Sequence, residues 1–190
     1  MLSCLSAPPH RVHHATCGCV SEAPAQLGRR GILAGLTALT GAALLPAGAR
    51  AASGNYEAML VNCIDPRFTS GSLAYMGANA MRDKYSQFVI AGGPLAVAHD
   101  RFAPWHQAFW DNLDITIALH NIKKVVALSH RDCGAAKLAF GDAAVGTRAA
   151  ETATHAAALQ RFRAAVAQRK PALGVITGIM DLDGSVDIVN

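Results

Sequence analysis

The feature that most constrains the fold of this chain is a set of short runs that are apolar at successive positions rather than at every second position. Four such runs, at residues 56–63, 88–91, 123–129 and 173–180, have the length of β-strands and are separated by longer segments. A strand that is apolar at successive positions is buried on both faces, which is typical of a parallel sheet with helices on both sides. The sequence therefore predicts an α/β fold with a mostly parallel sheet covered by helices on both faces.

Two of the longer segments carry their apolar residues on one helical face. Residues 105–120 and 151–170 both place apolar side chains four positions apart, so each is predicted to form an amphipathic helix. After the fourth run, Asp183 and Gly184 predict a turn into a last apolar segment at residues 186–189. Because this turn reverses the chain, we expect an antiparallel edge strand.

The first 51 residues have the features of an export signal. An arginine pair at residues 29–30 precedes a mildly apolar stretch that ends at Leu45, and small residues flank Arg50 at cleavage-site spacing. Paired arginines before a weakly hydrophobic stretch are typical of a twin-arginine signal. We expect the export machinery to recognise residues 1–51 and the signal to be removed, leaving residues 52–190 as a single domain in the periplasm. An uncleaved membrane anchor is the alternative, although the apolar stretch is shorter than the roughly 20 residues that a span needs.

The formal net charge of +4 comes mainly from this N-terminal segment. Its four arginines accompany a single acidic residue, Glu22, so residues 52–190 are nearly neutral. A neutral domain lacks the basic surface that attracts a phosphate backbone. The sequence therefore does not predict nucleic-acid binding.

Only two cysteines, Cys63 and Cys133, lie after the predicted signal. In an exported domain, two cysteines suggest a disulfide or a pair of buried thiols. Neither interpretation explains the polar motifs around them, Cys-Ile-Asp-Pro-Arg at residues 63–67 and His-Arg-Asp-Cys-Gly at residues 130–134. Both motifs follow predicted strands, and the carboxyl ends of parallel strands meet at one edge of the sheet, where ligands bind. The sequence therefore favours a shared metal site.

Two thiolates and one imidazole are the ligands that zinc prefers. Cys63, His130 and Cys133 would hold the ion and leave the fourth tetrahedral position open, as in catalytic sites. Asp65 can either fill that position or accept a hydrogen bond from bound water. Arg67, on the same side of an extended chain as Asp65, can pair with this carboxylate and hold it off the metal.

Together the two motifs resemble the signatures of the β-class carbonic anhydrases, which are Cys-x-Asp-x-Arg after one strand and His-x-x-Cys-Gly after another. The resemblance covers about residues 56–190 and is continuous over residues 122–135. It implies one zinc ion per chain on the three ligands named above, with Asp65 and Arg67 as the catalytic dyad. It also implies a lyase that hydrates carbon dioxide reversibly to bicarbonate, with zinc-bound hydroxide as nucleophile, and a homodimer or higher homo-oligomer.

Other functions are compatible with the same residues. Members of the family hydrolyse carbonyl sulfide or carbon disulfide with the same metal ligands, and a non-catalytic zinc-binding or redox protein is a hypothesis from another class. Pro66 occupies a position at which the family usually has serine. Arg131 and Asp132 are interpreted as solvated loop residues, and His99 is a minor candidate for a proton shuttle. The remaining histidines after the signal are expected at the surface or at the edge of the core: His106, His120 and His155.

Overall fold

The computed structural model describes residues 53–190, so the predicted export signal at residues 1–51 lies outside the described residues. The described chain forms a five-stranded sheet in the order β2-β1-β3-β4-β5. The strands are β1 (Ala58–Asn62), β2 (Tyr85–Val89), β3 (Lys124–His130), β4 (Gly174–Met180) and β5 (Val186–Ile188). Strands β1 to β4 are parallel and β5 pairs antiparallel with β4. The predicted mostly parallel sheet with an antiparallel edge strand is confirmed.

Six α-helices connect these strands within residues 53–190. They are α1 (Thr69–Ala78), α2 (Pro94–Ala98), α3 (Ala103–His120), α4 (Gly134–Phe140), α5 (Asp142–Val145) and α6 (Arg148–Arg169), with 3₁₀ helices at Pro66–Phe68 and Asp100–Phe102. The two helices predicted from periodicity correspond to α3 and α6. In this part of the chain, no helix is both long enough and apolar enough to cross a membrane.

The two faces of the sheet are buried against different helices. In β1 every residue is buried, and successive side chains point to opposite faces. Val61 packs with Phe109 of α3 and Phe162 of α6 in one core cluster, whereas Leu60 packs with Met76 of α1 in another. Full burial of a side chain of this size contributes about 1.5–3 kcal/mol. Helices on both faces, as predicted, therefore hold the central strands in place and fix the positions of the residues that follow them.

Candidate metal centre

The two motifs meet because the strands that carry them are neighbours. Strands β1 and β3 are parallel, with Val61 opposite Ala127, so their carboxyl ends lie side by side. Cys63 follows β1 directly, His130 is the last residue of β3, and Cys133 precedes α4. One ligand atom from each of these three side chains lies within 4.8 Å of the other two. The fold thus brings together the three residues predicted as metal ligands, and both cysteines are free.

His130 presents a free nitrogen to this cluster. Its Nδ1 atom lies 2.8 Å from the main-chain carbonyl oxygen of Arg131, and because a carbonyl only accepts, Nδ1 carries the proton. Its Nε2 atom is buried and has no hydrogen-bond partner within the described chain. Burial alone would lower the pKa of His130, but the proximity of Cys63 and the hydrogen bond to the Arg131 carbonyl raise it overall. Donation of one ring N–H to a carbonyl is the usual arrangement of a metal-binding histidine.

Cys63 lies in surroundings that favour its thiolate. The pKa of the Cys63 thiol is lowered chiefly by its contact with the Cys133 thiol, and further by the nearby His130 and by the hydrogen bond from the main-chain N–H of Gly92. The pKa of Cys133 is raised by the same Cys63 contact and by burial, so Cys63 loses its proton first. The thiolate is the form of cysteine that binds metals.

A glycine turn after β2 forms one wall of the cluster. Gly92 donates its main-chain N–H to the Cys63 Sγ atom at 3.2 Å. Gly93 has a φ of +53°, and a Cβ atom there would lie 2.8 Å from the carbonyl carbon of Asn62 and 3.0 Å from the main-chain nitrogen of Cys63. Only glycine combines this backbone conformation with so close an approach.

Asp65 is paired with Arg67 rather than included in the ligand cluster. Arg67 donates from Nε to Asp65 Oδ1 at 3.0 Å and from one terminal nitrogen to Oδ2 at 2.7 Å. These hydrogen bonds, more than any other interaction, lower the pKa of Asp65 to about 2. Asp65 is therefore ionised at neutral pH, and its charge is directed to the guanidinium.

The chain around this pair is not extended as predicted. A 3₁₀ helix begins at Pro66, and Asp65 caps it by accepting the main-chain N–H of Arg67 at 3.0 Å. Proline suits the first position of a helix because its φ is fixed there and its missing N–H would have had no partner. Pro66 is thus compatible with the Asp65–Arg67 pair, which is formed by a turn and not by strand alternation.

Asp132 also contacts Arg67, although it was predicted to be a solvated loop residue. Nη1 of Arg67 donates to Asp132 Oδ2 at 2.7 Å. Nη2, the terminal nitrogen that binds Asp65, also donates to the main-chain oxygen of Asp132 at 3.1 Å. Asp132 in turn donates its main-chain N–H to Glu151 Oε1 at 2.6 Å. The side chain of Asp132 is exposed, but its contacts join the two motifs.

Arg131 is buried, so its interpretation as a solvated loop residue was wrong. It is 5% exposed, and one terminal nitrogen donates to Thr152 Oγ1 at 2.7 Å and faces Glu151 Oε2 at 3.5 Å. The other terminal nitrogen lies 3.5 Å from an Asp187 carboxylate oxygen. The loop between His130 and Cys133 is therefore anchored on α6 and β5 by a charged residue.

His99, His106 and His120 are not part of the ligand cluster. The His99 ring packs edge-on against Phe140, at the opposite end of α4 from Cys133, so this position gives no support to a role as proton shuttle. His106 contacts the main-chain oxygens of Ala96 and His99, and His120 pairs with a serine hydroxyl.

His155 is fully buried, in contrast to the expectation of a surface or core-edge position. Neither of its ring nitrogens has a hydrogen-bond partner among residues 53–190. Burial, reinforced by the positive charge of Arg131 and by the neighbouring His130, lowers its pKa to about 4. His155 is therefore a neutral core residue at neutral pH.

The three clustered side chains fit a zinc ion. Two sulfur atoms and one nitrogen are a typical zinc donor set, and the buried Nε2 of His130 is a polar atom that only a further partner would satisfy. A cavity of about 60 Å³ adjoins Cys133 and Gly134, with Lys137 and Glu151 also in its lining. This volume has room for a few water-sized molecules.

Two relatives each match about two thirds of the chain, whereas no protein-family model matches it. An uncharacterized protein of Rickettsia conorii is 35% identical over 129 residues, covering 68% of this chain and 69% of the relative. An uncharacterized protein of Rickettsia bellii is 30% identical over 129 residues, covering 68% of this chain and 79% of the relative.

Among solved structures, the chain is similar to several carbonic anhydrases at low identity. The enzyme from Streptococcus mutans has a TM-score of 0.49 and 19% identity, covering 73% of this chain and 84% of that one. The Coccomyxa β-carbonic anhydrase in complex with acetazolamide has a TM-score of 0.49 and 15% identity, with coverages of 72% and 73%. A β-carbonic anhydrase of Aspergillus fumigatus has a TM-score of 0.48 and 17% identity, with coverages of 72% and 76%. Similarity of this degree carries no conclusion about the reaction.

Proposed function

We propose that this chain, which belongs to the same protein family as the two uncharacterized rickettsial proteins, is a zinc-dependent carbonic anhydrase that interconverts carbon dioxide and bicarbonate. The observation that carries the proposal is the cluster of Cys63, His130 and Cys133, with Asp65 held by Arg67 beside it. A structural zinc site would need a fourth protein ligand, and none lies within the cluster in the described part of the chain.

Zinc would be held by the Sγ atoms of Cys63 and Cys133 and by Nε2 of His130. When bound, it supplies a Lewis acid that makes water a nucleophile at neutral pH. The chain contributes the orientation of its ligands. The Arg131 carbonyl fixes the tautomer of His130, and the Gly92 N–H stabilises the negative charge of Cys63.

In this proposal, the role of Asp65 is to orient the nucleophile. Its carboxylate is ionised, so it accepts a hydrogen bond from the attacking water and directs the oxygen lone pair towards the carbon of the substrate. Arg67 restrains Asp65 in this task, since a carboxylate close to a dication would otherwise become a metal ligand. The restraint keeps one side of the site available to the reactants.

Carbonyl sulfide and carbon disulfide are small linear molecules like carbon dioxide, and the same residues could act on them. A zinc-loaded full chain should be assayed by stopped flow for carbon dioxide hydration and, separately, for hydrogen sulfide release from the two sulfur compounds. We expect hydration to dominate. Sulfide release without hydration would replace the proposed substrate but keep the metal site.

The role of Asp65 is tested by Asp65→Asn, which keeps the shape of the side chain but removes its charge. We expect the hydration rate to fall by about 100-fold, the order of loss when a reacting group is no longer held in position. Asp111→Asn, a change of the same kind on the exposed face of α3, should leave the rate unchanged. Equal rates in the parent protein and Asp65→Asn would contradict the mechanism.

A homodimer is part of the proposal. Three large apolar side chains are exposed in segments next to the site, namely Ile64 at 60%, Leu138 at 63% and Leu182 at 60%. Burial of such residues between two copies would remove apolar surface from water. A dimeric mass in light scattering would support this assembly, and a monomeric mass at micromolar concentration would contradict it.

A further inference from the structure

Arg67 is the only side chain in the described structure that touches the carboxylates of both motifs. It binds Asp65 through Nε and one terminal nitrogen, and it binds Asp132 through the other terminal nitrogen at 2.7 Å. The nitrogen that binds Asp65 Oδ2 also donates to the main-chain oxygen of Asp132 at 3.1 Å. The orientation of the guanidinium towards Asp65 therefore depends on where Asp132 lies.

Asp132 is itself held by charged groups on both sides of its backbone. Its φ is +55°, a left-handed conformation that aspartate and asparagine tolerate better than most residues. Its main-chain N–H donates to Glu151 Oε1 at 2.6 Å, and its main-chain oxygen accepts from Arg67. Glu151 is buried in the first turn of α6, so it ties Asp132 to a rigid element.

The Asp65–Arg67 pair alone would not be a firm restraint. The Arg67 side chain is 46% exposed, and a single exposed ion pair contributes little because solvent screens it. The contacts with Asp132 convert the pair into a network in which the guanidinium is fixed at three of its nitrogen atoms. Without Asp132, Arg67 can turn into solvent and release Asp65.

We propose that Asp132 is a positioning residue that holds Arg67 against Asp65 and thereby keeps the Asp65 carboxylate from becoming the fourth metal ligand. This inference rests on the proposed function, because it concerns access to the same metal site. It predicts that loss of the Asp132 charge leaves the metal in place but lets Asp65 compete for the position at which a small ligand binds.

The test uses the full chain loaded with cobalt(II) in place of zinc, with azide as the probe ligand. The visible absorption of cobalt reports its coordination, so azide affinity is measured by titration without any assay of activity. In Asp132→Asn we expect the dissociation constant of azide to rise about fivefold, since Asp65 competes for the position and an exposed network of this kind has a modest strength.

Asp83→Asn is the matched control. Asp83 also has a left-handed φ, of +59°, and its carboxylate is 92% exposed, with a 4.0 Å contact to the adjacent Arg82. The same chemical change there should leave azide binding unchanged. Asparagine tolerates the left-handed conformation, so both variants are expected to fold, and thermal unfolding checks this.

A double variant separates positioning from general disturbance. If Asp132 acts through Asp65, Asp65→Asn in the Asp132→Asn background should restore azide affinity to that of Asp65→Asn alone. Affinity that stays low in the double variant, or that is already unchanged in Asp132→Asn, would overturn the inference while the metal site stands. Failure of the parent chain to bind cobalt with thiolate charge-transfer absorption would overturn the proposed function and the inference together.

Discussion

The main-chain N–H of Gly92 lies 3.2 Å from the Sγ atom of Cys63, so the end of strand β2 supplies a hydrogen bond to the candidate metal centre. The neighbouring Gly93 backs directly onto the peptide between Asn62 and Cys63. The position of the first cysteine is thus fixed by two elements, the strand that precedes it and the turn that packs against it.

Gly93→Ala is predicted to disturb both stability and metal binding. The new Cβ would lie 2.8 Å from the carbonyl carbon of Asn62 and 3.0 Å from the main-chain nitrogen of Cys63. Both are backbone atoms, which cannot move aside as a flexible side chain can. We expect a loss of about 1–3 kcal/mol in the free energy of unfolding, together with weaker zinc binding. Urea unfolding and competition with a chromophoric chelator measure the two effects.

Gly77→Ala is the control for this substitution. Gly77 lies within α1, and a Cβ there has no neighbour within 4 Å among the described atoms. Alanine is a better helix former than glycine, so stability should be unchanged or higher by up to about 1 kcal/mol. Equal stabilities of the two alanine variants would contradict the close packing at Gly93.

Removal of a metal ligand is predicted to abolish stoichiometric zinc binding. Cys133→Ser and His130→Gln each leave two protein ligands at a site that needs three, so zinc should be lost on dialysis against a weak chelator. His99→Gln, a change of the same type outside the cluster, should retain one zinc per chain. Elemental analysis gives the stoichiometry, and full retention of zinc by His130→Gln would exclude His130 as a ligand.

His155 is predicted to make stability depend on pH in the acidic range. Its pKa is about 4 in the folded protein, below the value of about 6.5 in an unfolded chain. Between these pH values the unfolded chain binds more protons, so the free energy of unfolding falls as pH decreases. At pH 4 the free energy of unfolding is lower by about 3 kcal/mol.

His155→Leu isolates this contribution because leucine has a similar volume and does not titrate. In metal-free protein, the variant should be as stable as the parent or more stable at pH 7, since two buried nitrogens without partners in the described chain are removed. It should also lose less stability than the parent between pH 6.5 and 4. Parallel profiles in urea unfolding would show that His155 does not titrate as inferred.

Export is predicted to depend on the arginine pair at residues 29–30. Conservative replacement of both by lysine keeps the charge but removes the signal that a twin-arginine receptor reads, so the protein should accumulate in the cytoplasm. Arg11→Lys, upstream of the pair, should not change the distribution. Cell fractionation with sequencing of the mature N-terminus tests the prediction, and periplasmic protein from the double variant would contradict it.

Strands β1, β3 and β4 could be predicted from the sequence because they are short apolar runs that contrast with their surroundings. Strand β2 begins three residues before the run predicted at 88–91, because its first half contains the polar residues Ser86 and Gln87. Helix α1 was not predicted, since Gly71 and Gly77 weaken its helical propensity and its apolar residues do not form a clear stripe. Its conformation is stabilised by tertiary packing, with Met76 buried against Leu60 of the central sheet. Such packing is not encoded in any short segment.

The same distinction applies to the candidate site. Cys63, His130 and Cys133 could be selected because each lies close to the end of an apolar strand within a short polar motif. The contact between Asp132 and Glu151 could not be predicted, because it joins residues 19 positions apart and depends on how α6 packs against the sheet. The left-handed backbone of Asp132 likewise has no signature in the sequence around it.

Zinc-dependent carbonic anhydrase activity is tested most directly by measuring the rate of carbon dioxide hydration by stopped flow while zinc is added to the metal-depleted full chain. We expect a rate that rises in proportion to zinc and reaches a plateau at one ion per chain. A chain that binds one zinc ion through Cys63, His130 and Cys133 yet leaves the hydration rate at that of buffer would contradict it.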